Sequence, residues 1–455
     1  MGKPKSDGSG LHGSSLGIMS VLAIAIAAIS PTTSVFLVYG AGLTTAGTGI
    51  IWAFIIGALI AIGMAFSYAE VGGSYPSAGG AYTIVRNVLG DAFGTITNIL
   101  FLVLGIVITA TILVAAATYL NSLVPGLPVN WSAVAMMVII TILSLERIGP
   151  TSLVAGIMLA IELTVILVFT GFALAHPALA TNPLSHPVLP SHSGLIPVTF
   201  SAILIAVVPA LFAFNGYDWP LYFGEEAKNP KKMLARAVLI AVTVSIVVEV
   251  LAVIAATLAI RNLGATAAAS APLTYIATSV MGRTGATVLL IGAIIAMFDT
   301  GLAGNLAYAR IYFASARDRL WPGGLNRFFS AVNKSQVPMW GFIVLGIGNA
   351  ILCYFASLAM LITFTGVVIV VIYLMVAIAA LVSRARDKSL ERPWRMPLWP
   401  LPPVVAILGV ALALTQQLTR DLIITAVIVI VAAVYYLAYL RPRLAVRDAG
   451  RSTRA

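Results

Sequence analysis

The chain has 455 residues, of which 60% are apolar and 9% charged, with a net charge of +11. Soluble globular chains run near 25% charged, so this composition argues against a water-soluble enzyme or a nucleic-acid binder, and no nucleic-acid partner is expected. One cysteine, Cys353, excludes a disulfide framework and any cysteine-based metal site.

Residues 1–15 are polar and rich in Gly and Ser, and read as a cytosolic tail. Apolar stretches long enough to cross a bilayer core as helices then follow one another. They are expected at 16–40, 48–70, 93–120, 130–146, 150–175, 196–223, 234–260, 285–314, 338–355, 358–382, 400–419 and 421–440. The basic residues test this array independently. With both termini cytoplasmic, 23 of the 26 Lys and Arg fall inside, and Arg261, Arg283 and Arg420 fall outside. That is the bias of the positive-inside rule for an even number of spans. The expected setting is therefore a multi-pass protein of a plasma (inner) membrane, with a cytosolic linker at 383–399 and a basic cytosolic tail at 441–455. The Pro-rich outside loop from His176 to His192 holds three of the four His. It is read as a flexible, water-exposed loop, and no metal site is expected.

Two spans are interrupted in their middles. In the first, Ser30-Pro31-Thr32-Thr33-Ser34 follows an apolar run, and Pro31 removes a backbone donor and clashes with the preceding turn. In the sixth, Pro209 precedes Phe214-Asn215-Gly216-Tyr217-Asp218-Trp219-Pro220. Gly216 frees the backbone and Pro220 disfavours helix at Trp219. Non-helical backbone at membrane depth is tolerated only where protein or a water-filled cavity covers it. Two breaks five spans apart fit two inverted five-helix repeats, 16–175 and 194–382, with a substrate site at the breaks. Helices at 400–440 complete the chain. The candidate substrate-binding residues are Ser30, Pro31, Thr32, Thr33 and Ser34 with Phe214, Asn215, Gly216, Tyr217 and Asp218, and Phe214 is the one expected to line the pocket.

Four motifs carry a resemblance. Ala69-Glu70-Val71 with Pro76-Ser77-Ala78-Gly79-Gly80-Ala81-Tyr82, Glu225-Glu226-Ala227-Lys228-Asn229-Pro230, Asn305 with Arg310, Ala314, Ala316, Arg317, Asp318 and Pro322, and Arg392-Pro393-Trp394-Arg395-Met396-Pro397 with Pro400 and Pro403 resemble, in order, motifs of the amino acid–polyamine–organocation (APC) transporter family. The resemblance implies an all-α polytopic membrane protein of twelve helices in a LeuT-type 5+5 fold with broken helices one and six. It implies secondary active transport by alternating access, not enzymatic activity, and no cofactor. One departure bears on substrate. Ser30–Ser34 stands where many members carry a Gly-Ser-Gly break whose N–H groups hold a substrate carboxylate. That pulls toward polyamines or other small organic amines, while the family and the hydroxyls of Ser30, Thr32, Thr33 and Ser34 pull toward amino acids. The reading is an amino-acid importer, with an amine transporter, an exchanger of related substrates and a non-transporting sensor as alternatives.

Four acids fall inside spans: Glu162, Asp218, Glu249 and Asp299. A carboxylate there is costly, so it faces a cavity or takes up a proton. Asp218 adjoins the second break and is read either as a contact to a substrate amine or gate, or as an N-cap of the following half-helix. Glu162 aligns near a position where several APC relatives carry a Lys, so it is read as a proton-coupling group, with a neutral structural role equally open. Asp299 is a second coupling candidate, and Glu249 has no assigned role. The expected partners are thus a small-molecule substrate, H+ as coupling ion and the lipid bilayer. The sequence leaves the oligomeric state open.

Overall fold

The computed structural model describes residues 29–77, 79–145, 152–191, 194–223, 230–333 and 337–444. The tail at 1–15, the first part of the first span, the Glu225–Asn229 motif, Ala78, His192 and the end of the basic tail lie outside the described residues.

Helices dominate. In chain order they are α1 (Pro31–Ala46), α2 (Ile50–Ser74), α3 (Ala81–Leu89), α4 (Asp91–Leu123), α5 (Val129–Leu145), α6 (Ser152–Ala175), α7 (Phe200–Ala213), α8 (Pro230–Leu258), α9 (Leu263–Ala268), α10 (Pro272–Arg317), α11 (Leu325–Phe329), α12 (Met339–Phe355), α13 (Leu358–Arg386), α14 (Leu401–Leu414) and α15 (Thr419–Tyr435). Among the described residues, seven helical stretches are long and apolar enough to cross a membrane. They are α1 with α2, α4, α6 from Gly156, α8 from Lys232, α10, α13, and Thr419–Leu444. Helices α5, α7, α12 and α14 are shorter and apolar.

The core is the centre of the bundle. Helix α10 runs along α4, α2 along α8, and α1 along α7. Large apolar side chains on α15, such as Ile423, Val427 and Ile430, stay exposed, as expected where lipid rather than protein covers a helix.

The structure departs from the expected spans in three places. The span expected at 196–223 starts later, at Phe200, because Gly194–Pro197 (β2) pairs antiparallel with Val188–Ser191 (β1); it unwinds after Ala213, where the interruption is expected, and resumes as a 3-10 turn at Trp219–Phe223. The stretch expected at 285–314 begins at Pro272 and is interrupted at Gly282. The loop around His176–His192, expected to be free in water, is instead tied down. The Val188 N–H donates to Thr48 Oγ1 at 2.8 Å and Trp52 Nε1 donates to the Leu184 carbonyl at 3.0 Å. The fold is thus all-α but for one hairpin capping the α1–α2 turn.

Candidate functional site

The first break is built by side chains replacing lost backbone bonds. Ser30 adopts left-handed geometry (φ 48°), which puts Pro31 at the first helical position, where its missing N–H costs nothing. The Thr33 N–H donates to Ser30 Oγ at 3.4 Å. The Ser30 hydroxyl donates to Thr33 Oγ1 at 2.6 Å, and the Thr300 hydroxyl donates to the Ala296 carbonyl at 2.8 Å. Each hydroxyl has one proton, so the 3.1 Å contact between Thr33 and Thr300 is donated by Thr33. A one-way chain of hydroxyls therefore runs from Ser30 on the break to α10. The Ser34 hydroxyl reaches both the Ile29 carbonyl (2.9 Å) and the Ala213 carbonyl at the end of α7 (2.7 Å). One serine thereby stitches the two interrupted helices together.

The second break starts where α7 ends. Gly216 sits at φ 119°, a backbone conformation that side chains with a Cβ avoid. The turn sends its side chains in different directions. Asn215 Nδ2 donates to the Tyr373 hydroxyl of α13 at 2.7 Å. Asp218 Oδ2 accepts from Tyr222 at 2.6 Å, while Oδ1 is buried without a partner. The Tyr217 ring lies 6.0 Å from Tyr68 and 5.7 Å from Tyr373. Phe214 packs edge-on against Phe54 of α2 at 5.5 Å.

A cavity of about 20 Å³ lies between the breaks. Thr33, Ser34, Asn215 and Thr300 supply its polar lining, and Ile29, Leu37, Ile108, Ile112, Phe212 and Trp219 its apolar lining. The volume fits one water, so the site is constricted and the breaks must part to admit a larger molecule. Of the sequence candidates, Thr33, Ser34 and Asn215 line the cavity. Ser30, Pro31 and Thr32 hold the break from behind, and Gly216 shapes the turn. Phe214, Tyr217 and Asp218 face away from it. Phe212 takes the place expected of Phe214: two residues apart at the helix end, the two point about 200° apart around it. Asp218 directly precedes the 3-10 turn Trp219–Phe223 and sits among Tyr68, Tyr217, Tyr222, Tyr308 and Tyr373, drawn from four elements. Ile108, Ile112 and Leu37 carried no sequence signal, since an apolar residue facing a cavity reads like one facing lipid. Thr300 carries no sequence signal of its own beyond adjoining Asp299.

The intramembrane acids divide. Glu162, 2% exposed, meets the first break directly: its Oε1 accepts from the Thr32 N–H at 3.3 Å, and the Thr32 hydroxyl donates to the Glu162 carbonyl at 2.7 Å. Asp299 is close enough to Glu162 for their charges to repel. Glu249, fully buried on α8, accepts from Ser245 through Oε1 and leaves Oε2 without a partner.

The motif residues build a second region, at the end of the bundle where basic residues gather. Glu70, at the end of α2, accepts from the Met396 N–H at 2.6 Å and pairs with Arg392 at 3.3 Å and Arg384 at 3.4 Å. Arg392 in turn donates to the carbonyls of Ser383 (2.9 Å) and Asp387 (2.8 Å), folding the linker onto the helix end. Asp318, ending α10, accepts from Tyr82 (3.2 Å) and Arg86 (3.4 Å) of α3. Gly80 precedes α3 at φ 51°, and a Cβ there would lie 2.2 Å from the Tyr222 ring. Motifs separated by hundreds of residues thus bind one another. Near the hairpin, His176 Nδ1 lies 2.9 Å from the Phe172 carbonyl and His186 Nδ1 2.9 Å from Ser185. Among the described residues no three His, Cys, Asp or Glu are grouped to hold a metal.

Comparison with known proteins agrees with this anatomy. The branched-chain amino acid permease BcaP of Bacillus subtilis is 26% identical over 413 residues, covering 86% of each chain. The serine/threonine exchanger SteT of the same organism is 25% identical over 426 residues, covering 89% of this chain and 91% of its own. The methylthioribose transporter of that organism is 22% identical over 397 residues, covering 82% of each. Residues 16–440 match the amino acid permease family. The chain therefore belongs to the amino acid permease family, within the APC transporters, and is a multi-pass membrane transporter rather than an enzyme.

Proposed function

We propose that the protein imports a neutral amino acid by alternating access, coupled to proton entry at Glu162, in a plasma (inner) membrane with both termini cytoplasmic. The observation that carries the substrate class is the cavity lining: hydroxyls and one amide beside isoleucine, leucine, phenylalanine and tryptophan, with no charged side chain among the described lining residues. The hydroxyls and amide suit a substrate's carboxylate and ammonium, and the apolar wall suits an uncharged side chain. BcaP, named for branched-chain amino acids, and SteT, named for serine and threonine, both fall in that class. A polyamine would need acidic groups at the cavity, and Asp218 is turned toward Tyr222 instead.

The same reading places residues 16–175 and 194–382 as inverted five-helix repeats of a twelve-helix LeuT-type fold. In it, 383–399 is a cytosolic linker, 400–440 the last two helices and 441–455 a cytosolic tail. Support comes from the meeting of the two breaks through Ser34 and from the pairing of α1 with α7 and of α4 with α10. Glu162 fits coupling because it is the one buried acid bonded to the break itself. Asp299 lies behind it as a second group on the same route.

A thermal-unfolding panel on the detergent-purified chain tests the substrate class, because a ligand that binds only the folded state raises the midpoint with concentration. Leucine, isoleucine, serine and threonine are compared with putrescine and isoamylamine. Stabilisation by one or more of the amino acids, and by neither amine, is expected. Stabilisation by amines alone sinks the reading.

A further inference from the structure

Glu249 is the buried acid that the transport reading leaves unused. Helix α8 packs against α2, α6, α1 and the turn at Trp219–Phe223. Along the apolar part of these elements the charged residues are few. From Ile50 to Ala69, α2 carries no Asp, Glu, Lys, Arg or His. In α1 the sole titratable group is Tyr39, hydrogen-bonded at 3.0 Å to Thr257. From Gly156 onward, α6 carries only Glu162, and the turn's Tyr222 is bonded to Asp218. The basic residues of α8 itself, Lys231, Lys232 and Arg236, belong to its other end, more than three turns away along the helix. Glu249 is close enough to Glu162 for their charges to repel, and Asp299 on α10 stands beyond Glu162. Among the described residues no cation is paired with Glu249; one of its oxygens is bound by Ser245, and the other is bare. A carboxylate so placed is tolerated by holding a proton, not by an ion pair.

Depth orders the two acids. The ends of α6 and α8 meet, because the N–H groups of Ala178 and Leu179 both donate to the Leu258 carbonyl (2.8 and 3.0 Å). Counting back along each helix at 1.5 Å per residue, Glu249 lies about 14 Å and Glu162 about 20 Å from that junction. In the proposed orientation the junction is the outer face.

We propose that Glu249 is a second proton-carrying site, the outer station of a path that loads Glu162 and, through Thr32, the first break. This rests on the reading of Glu162 as the coupling group and adds the residue that supplies it. Protons pass from outside to the Glu249 carboxyl, then to Glu162, and leave inward when the break reopens. Like charges this close do not ionise together without cost, so the pair hands on one proton at a time.

The test uses the full chain in proteoliposomes with radiolabelled leucine, and with radiolabelled threonine run in parallel. Uptake driven by an acid-outside gradient is compared with counterflow at equal pH. Wild type should respond to the gradient, and E249Q should lose that response by about tenfold, the scale of a typical coupling free energy, with counterflow within about twofold. S245A keeps the carboxyl but removes its one partner, and should displace the pH profile of uptake without abolishing it. Gradient-driven uptake in E249Q with the wild-type magnitude and pH profile overturns the assignment and leaves the coupling reading of Glu162 standing. If wild type itself ignores the gradient, proton coupling fails first and Glu249 falls with it. If E249Q loses counterflow as well, S245A decides, and an unchanged pH profile in S245A overturns the proposal.

Discussion

The cavity at the breaks and the latch at the basic end are built in opposite ways. The cavity uses short hydroxyls, one amide and apolar walls, held by neutral hydrogen bonds. The latch uses long charged side chains, Arg384 and Arg392 on Glu70 and Arg86 on Asp318, each closing over hundreds of residues. The recognisable motifs cluster in the latch, not in the cavity. The described motif residues therefore mark where the chain is locked at one face, and none of them lines the cavity. This is consistent with relatives that are named for different substrates yet align over most of their length.

The sharpest way to break this contrast is at Glu70. Its side chain is 2% exposed and that of Arg392 4%. Glu70→Gln keeps the shape and strips the charge, leaving Arg392 buried without its anion. Removing one partner of a buried pair costs about 3–5 kcal/mol. The expected outcome is a large fall in thermal midpoint in detergent, seen before any change in substrate affinity. A midpoint equal to wild type would show that the linker is held by Arg392's carbonyl bonds alone.

At the cavity the largest effect is expected from Asn215→Ala. It removes the sole amide of the lining and the donor to Tyr373, so a ligand loses a polar partner and the turn loses its tie to α13. A hydrogen bond of this kind is worth about 0.5–1.5 kcal/mol, and more when a charged group is the partner. Apparent affinity for the transported amino acid should weaken by about tenfold, with the thermal midpoint of the unliganded protein moving far less than in E70Q. A midpoint that falls as far as in E70Q would erase the distinction between the two regions.

What the sequence made legible follows the chemistry of the backbone and of charge. Pro31 and Gly216 announced the breaks because one lacks a donor and the other favours a backbone that other residues avoid. Glu162 announced itself as an acid in an apolar run. The direction of side chains beyond a break was not legible. Phe212 and Phe214 lie about 200° apart around the end of α7, and nothing in the sequence says that Phe212 is the one that reaches the cavity. Ile108 and Ile112 were invisible for another reason: a membrane helix is apolar on every face, and its pattern does not tell protein from lipid. The tyrosines about Asp218 come from α2, α10, α13 and the second break, a meeting that only tertiary structure reveals. The short helix α3 and the hairpin at Val188–Pro197 were missed because both lie outside the spans, where hydropathy says nothing.

A smaller effect is expected from Thr33→Val, which cuts the hydroxyl chain between the first break and Thr300 while preserving shape. The loss is the two neutral hydrogen bonds of its hydroxyl, from Ser30 and to Thr300, together about 1 kcal/mol at the low end of the range for such bonds. It should appear as a modest drop in midpoint and as faster opening of the break, read by hydrogen exchange at the residues after Thr33. Unchanged exchange would mean that Ser34's bonds to Ile29 and Ala213 hold the break by themselves.

The smallest effect tests whether charge at the basic end matters by burial or by mere presence. Arg386 pairs with Asp387 at 3.5 Å, but its side chain is 55% exposed. Solvent screens such a pair, and exposed pairs contribute about 0–1 kcal/mol. Arg386→Ala should therefore leave the thermal midpoint close to wild type and show little dependence on added salt, although Arg386 lies only two residues from Arg384. A loss comparable to that of E70Q would mean that the 3.5 Å contact between Arg386 Nη2 and the Asn87 carbonyl beside α3's end anchors the linker. The linker's anchorage would then extend from α2 across to α3. A null result confines that anchorage to the buried cluster around Glu70, where desolvation rather than the number of charges sets the energy.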